Sequence, residues 1–133
     1  IINTGSPTST TGECVARVRS QFQDSPIWND FEAVTNEMQA ALLKSELAEV
    51  QRWVAENNRL LAHIGVTPPA IQEFIRQIER HGGAAKIAGA GSVHGANAGM
   101  VVAFAEQLPQ KVLDRYGFKV MNVKGDDLGA RIV

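Results

Sequence analysis

The glycine pair Gly82-Gly83 divides this chain into two kinds of pattern. Before it, apolar residues recur at helical spacing: Ile27, Phe31, Val34, Met38 and Leu42; then Leu47, Val50, Val54 and Leu61; then Ile71, Phe74, Ile75 and Ile78. After it come segments of strand length, Ala84 to Ala88 and the apolar run Met100 to Ala105, separated by a loop with glycines at 89, 91, 95 and 99. Ile1-Ile2, Phe118 to Val123 and Ala130 to Val133 read as further strands, with Gly125-Asp126-Asp127 as the turn into the last. The expected order is strand, four helices, two strands, helix, two strands. Segregated helices and mostly hairpin-type strand connections specify an α+β class, a small and mostly antiparallel sheet with helices packed on one face.

Local signals place the helix ends. Thr10 lies three residues before Glu13, the spacing of a capping box, and predicts a helix to about Gln21. Ser25-Pro26 predicts a second start, with Ser25 as cap and proline in the first helical position. Gly65 is placed to end the third helix, Thr67-Pro68-Pro69 opens the fourth, and Pro109 to Tyr116 reads as a short fifth.

Composition excludes several classes. At 133 residues the chain is one domain, 1–133, large enough to bury a core without cross-links. Thirteen basic against fourteen acidic residues leave no excess for a nucleic acid or an anionic membrane. The apolar run Met100 to Ala105 is far too short to span a bilayer. A single cysteine, Cys14, excludes an internal disulfide, and His63, His81 and His94 are not at metal-ligand spacing, so no metal site is expected. A cytoplasmic protein follows. The opening on Ile1-Ile2 without a methionine reads as a piece cut from a longer protein.

Two segments could carry chemistry. In the loop from Gly89 to Gly99, glycines let backbone approach a ligand and turn N–H groups toward an anion. Lys86 precedes this loop, and Ser92 and His94 lie within it. It is not a P-loop, since no Gly-Lys-Ser/Thr follows, and it lacks the third glycine of a dinucleotide fingerprint. The plain alternative is a tight strand connection. The second segment is Thr8 to Thr11, at a helix start where free N–H groups attract anions. The alternative there is simple capping. Cys14 near a helix start reads as a small buried residue rather than a nucleophile, and Asn57 as a structural group bonding across helices.

Taken together, these residues resemble the GHMP kinases. Lys86-Ile87-Ala88-Gly89-Ala90-Gly91 is similar to that family's third conserved motif. Asn3-Thr4-Gly5-Ser6-Pro7 with Ser9 to Glu13 resembles the start of the C-terminal half of mevalonate kinases, and Asn57 to Leu61 with Ile64-Gly65-Val66 resembles their helix pair. The blocks occur in family order over nearly the whole chain. Ser92-Val93-His94-Gly95 departs from the family's richer glycine run, and Ala88 stands where many members carry Thr or Ser.

The resemblance implies a ferredoxin-like C-terminal domain whose parent moves the γ-phosphate of ATP, with Mg2+, to the primary alcohol of mevalonate. Phosphomevalonate, a sugar or homoserine are the alternative acceptors. The phosphate loop and catalytic Asp belong to an N-terminal half that this sequence lacks, so no catalytic residue is assigned here. The chain alone is expected to be inactive and to hold no cofactor tightly. By the resemblance, Gly89, Ala90, Gly91 and Ser92 line the phosphate side of a cleft, and Thr10 and Thr11 face the acceptor. The expected partners are the N-terminal kinase half and the alcohol, with a homodimer as a further possibility. A non-enzymatic assembly module, using the Ile71 to Ile78 stripe as its interface, is the competing class.

Overall fold

The computed structural model describes residues 1–124. The expected strand Ala130 to Val133 and its turn at Gly125-Asp126-Asp127 lie outside the described residues. The elements in chain order are β1 (Ile2–Asn3), α1 (Thr11–Phe22), α2 (Ile27–Leu43), α3 (Leu47–His63), α4 (Pro69–Arg80), β2 (Ala84–Ala88), β3 (Met100–Phe104), α5 (Gln110–Tyr116) and β4 (Lys119–Val120). The four strands form an antiparallel sheet of order β2-β3-β1-β4. That order is the split arrangement of the ferredoxin-like fold, here with four helices in the first crossover. The α+β class therefore holds. Among the described residues β2 and β3 form a hairpin and helices carry the other two crossings, as the expected order has them.

The four apolar residues of α4 are fully buried, in one cluster with Ile2, Ala85, Ile87 and Val101 from one face of the sheet. Burying them removes on the order of 1.5–3 kcal/mol of apolar exposure per side chain, which makes this face the main core. Phe74 also meets Tyr116 and Phe118 edge to face, tying α5 and the approach to β4 onto α4. The stripe is thus core, as its helical spacing implies, and the competing reading of it as an assembly surface fails. α3 lies along the edge strand β2. Its Gln51 donates to the backbone oxygens of Gly82 and Phe104, and Val50 and Val54 pack with Ala84 and Phe104. A helix in that place covers a strand edge that could otherwise pair with another chain.

Helix ends follow their local chemistry. Thr10 and Glu13 form the capping box of α1 in both directions. Beyond α3, Gly65 N–H donates to Ala62 O and Val66 N–H to Leu61 O, the paired bonds of a Schellman motif around a glycine at φ +79°. Gly82 and Gly83 repeat it on Glu79 and Ile78 after α4. Helix α2 begins one residue later than expected, with Pro26 as its cap and Ser25 Oγ accepting from Ile27 N–H. At its other end Ala41 is buried and Leu42 is exposed, because α3 packs on the neighbouring face. The strand expected over Phe118 to Val123 is Lys119–Val120 among the described residues, where it pairs with the two-residue β1.

Candidate functional site

Sheet register brings the two singled-out loops together. Met100, the first residue of β3, pairs with Asn3 on one side and Ala88 on the other. β1 and β2 therefore end at the same edge of the sheet, and the loops that leave them, residues 4–10 and 89–99, run side by side. Thr4 joins them first. Its N–H and hydroxyl both donate to Gly99 O, at 2.8 Å each, and its hydroxyl accepts from Ala98 N–H. Gly99 N–H donates back to Gly5 O.

Farther out, Ser9 and Ser92 form a buried pair. Ser92 Oγ accepts from Ser9 N–H at 3.0 Å and lies 3.0 Å from Ser9 Oγ. Ser9 Oγ accepts from Val93 N–H at 3.1 Å and lies 3.1 Å from His94 Nδ1. Ser92 Oγ lies 2.7 Å from His94 O. Gly95 packs so closely on Thr8 that a Cβ there would fall 2.1 Å from the Thr8 hydroxyl.

Each expected site residue has a definite place in this arrangement. Gly89 is exposed, with φ +126° and open space where a Cβ would project, and Ala90 is half-buried beside it. Gly91 is buried; a Cβ on it would stand 2.0 Å from Val66 O. Its lack of a side chain serves the contact between the glycine loop and the α3–α4 turn, where Ser92 N–H donates to Val66 O. Ser92 is 0% exposed, and its hydroxyl is committed to Ser9 and His94. Thr10 and Thr11 are exposed at the start of α1, with the Thr10 hydroxyl engaged by Glu13. The Glu13 carboxyl is held below its usual range by hydrogen bonds from the Thr10 backbone and hydroxyl, with His94 adding attraction.

Lys86 lies on β2, half-buried, and donates to Ile87 O; burial pushes its ammonium pKa down. Cys14 is buried, and desolvation pushes its thiol up, so it is not an activated nucleophile. Asn58, not Asn57, is the buried asparagine of α3, and its Oδ1 has no partner among the described residues. An apolar groove of about 410 Å³ runs from Cys14 and Val18 on α1 past Trp28 to Leu61, Val66 and Ala90. Among the described residues, no group of three or more His, Cys, Asp or Glu could hold a metal ion, and no helix is long and apolar enough to cross a membrane.

The part that Ser9 and Thr4 play in joining the loops is not legible in the sequence. Their only signal was position within a polar turn segment, and the partners at 92 and 98–99 are set by register rather than by local spacing.

Comparison with known proteins bears on this loop. The family described as GHMP kinases C terminal matches residues 38–98. The match runs from within α2 to the end of the glycine-rich loop. Among solved structures, a Lin0012 protein from Listeria innocua is similar in fold, with a TM-score of 0.71 and 24% sequence identity. The similarity covers 89% of this chain and 36% of that one, so this chain spans about a third of that protein's length. No curated protein matches significantly.

Proposed function

We propose that this chain is the C-terminal domain of a GHMP-type kinase whose parent transfers the γ-phosphate of ATP to the hydroxyl of a small alcohol. The observation that carries the reading is the joined pair of loops at one end of the sheet. The family match includes most of the glycine loop, and the start of α1 lies beside it. Phosphoryl transfer depends mainly on positioning and on electrostatic stabilisation, and a rigid two-loop edge is suited to positioning.

In this reading the exposed backbone of Gly89 and Ala90 approaches the phosphates. Gly91 and Ser92 hold the loop in shape from within the protein rather than by touching the ligand. Thr10 and Thr11 face the acceptor. The glycine backbone of this chain fits a phosphate, but the described residues offer no donor set for Mg2+, which the N-terminal half would hold. The new oxygen–phosphorus bond forms as the bond to ADP breaks, and the hydroxyl proton passes to the catalytic Asp that the resemblance assigns to the N-terminal half.

Mevalonate is the first acceptor to try, on the resemblance of residues 3–13 and 57–66 to mevalonate kinases. Phosphomevalonate, homoserine and a sugar complete the panel. The test is alcohol-dependent ADP release by the full-length protein that contains this chain, compared with the chain alone. One alcohol dominating kcat/KM in the intact protein, with none turned over by the chain, is the expected result. Turnover by the 133-residue chain alone, or no alcohol-dependent release by the intact protein, would sink the proposal.

A further inference from the structure

The Ser9–Ser92–His94 network contains five short contacts and too few hydroxyl protons to be assigned freely. Two of its donors are backbone N–H groups, Ser9 to Ser92 Oγ and Val93 to Ser9 Oγ, and these are fixed. His94 O can only accept, and the Ser92 hydroxyl is its donor at 2.7 Å. The single Ser92 proton is then used. The 3.0 Å contact between the two hydroxyls must take its proton from Ser9. With that proton spent, Ser9 Oγ can only accept from His94, so Nδ1 must carry hydrogen. This assignment satisfies all five contacts. The opposite tautomer leaves either His94 O or the contact between the hydroxyls without a proton, inside a buried pair.

We propose that the two serines hold His94 as its Nδ1–H tautomer, so that Nε2 is a fixed hydrogen-bond acceptor for a ligand hydroxyl. The imidazole is exposed although Nδ1 is tied inward, and Nε2 has no partner among the described residues. The charged group that acts on it is the Glu13 carboxylate at the start of α1. In the neutral imidazole, an acceptor nitrogen near a carboxylate suits a donor and disfavours a phosphate. This edge of the two-loop unit therefore takes an alcohol O–H, while the anion belongs at Gly89 and Ala90. Ser9 and Ser92 act as positioning residues. The ligand half of this inference rests on the kinase reading; the tautomer does not.

Two measurements test it. Long-range proton–nitrogen NMR correlation on the histidine-labelled chain, at about pH 8.5 where an ordinary imidazole is neutral, distinguishes the tautomers. The Nδ1–H form is expected in the native chain, and Ser9→Ala is expected to shift His94 toward Nε2–H. A native Nε2–H spectrum overturns the assignment. In the full-length protein, His94→Asn keeps an amide N–H near Ser9 but removes Nε2. It should raise KM for mevalonate, or for whichever alcohol dominates the panel, about tenfold, one hydrogen bond's worth, with KM for ATP unchanged. Unchanged alcohol KM, or an equal rise for ATP, overturns the ligand assignment. Absence of alcohol-dependent turnover in the native protein refutes the kinase reading and the ligand assignment with it, while the spectrum still decides the tautomer.

Discussion

Replacing Gly91 by alanine separates two roles of a glycine that look alike in sequence. Gly91 has φ +72°, and Gly117, at the end of α5, has φ +66°. Holding alanine in that left-handed region costs about 1–2 kcal/mol at either position. The surroundings differ. At Gly117 a Cβ meets nothing within 4 Å, whereas at Gly91 it would stand 2.0 Å from Val66 O and 2.6 Å from Ile87 Cδ1. Val66 O cannot retreat freely, because it accepts the Ser92 N–H at 2.9 Å and follows the Schellman turn of α3. Losing that bond costs about 1 kcal/mol, and overpacking against Ile87 adds about 1–3 kcal/mol. Gly91→Ala should therefore destabilise the chain by about 3–6 kcal/mol, a large part of the total for a domain of this size, and Gly117→Ala by about 1–2 kcal/mol. Urea unfolding of the chain reads this directly. With a slope of about 2 kcal/mol per molar, the midpoints of the two variants should differ by at least about 1 M at equal slope. Equal midpoints would show that the close approach to Val66 does not constrain the loop. If the midpoints differ, loss of turnover in a Gly91 variant of the proposed kinase would report the loop's shape as much as any contact with phosphate.

Three other perturbations have definite outcomes. Ser45, between α2 and α3, is an exposed non-glycine residue at φ +57°, so Ser45→Gly should stabilise by about 1 kcal/mol and raise the thermal midpoint by a few degrees. Cys14 is buried with its thiol pushed up, so it should resist a thiol reagent in the native chain and react as urea unfolds it; rapid labelling without urea would contradict its placement. The folded pKa of Glu13 is lowered by the Thr10 hydrogen bonds, so its stabilisation is present above the ordinary carboxylate range and disappears as pH falls through the lowered value. Glu13→Gln should flatten the acid side of the stability profile between those limits, and an unchanged slope would show that the capping box contributes nothing measurable.

What could be read from the sequence was what depends on neighbours in the chain. The Thr10–Glu13 box, the glycine stops at 65 and 82 and the stripe of α4 are set within a few residues, and each forms as expected. Strand β2 matched its expected limits because an apolar run bounded by glycines leaves little freedom. What failed depended on packing from elsewhere. Neither Leu42 nor Asn57 is buried; Ala41 and Asn58 are, because α3 meets both α2 and the edge of the sheet and decides which faces are covered. Against β1, β4 pairs over only two residues, because β1 itself is two residues long, a property of the partner and not of residues 118–123.

The candidate site divides in the same way. Its glycine loop and its threonines stood out locally, but the bonds that make them one unit span more than eighty residues, as between Ser9 and Ser92. Only the shared register of Met100 with Asn3 and Ala88 brings them together. That arrangement also divides the edge by charge. The backbone is open at Gly89, whereas the Glu13 carboxylate and, in the proposed tautomer, His94 present acceptors where α1 begins. A ligand with an anionic end and a hydroxyl end can meet both requirements only in one orientation. In the proposed kinase, this polarity, rather than the glycine content alone, is what would align a phosphate with an alcohol at the two-loop edge.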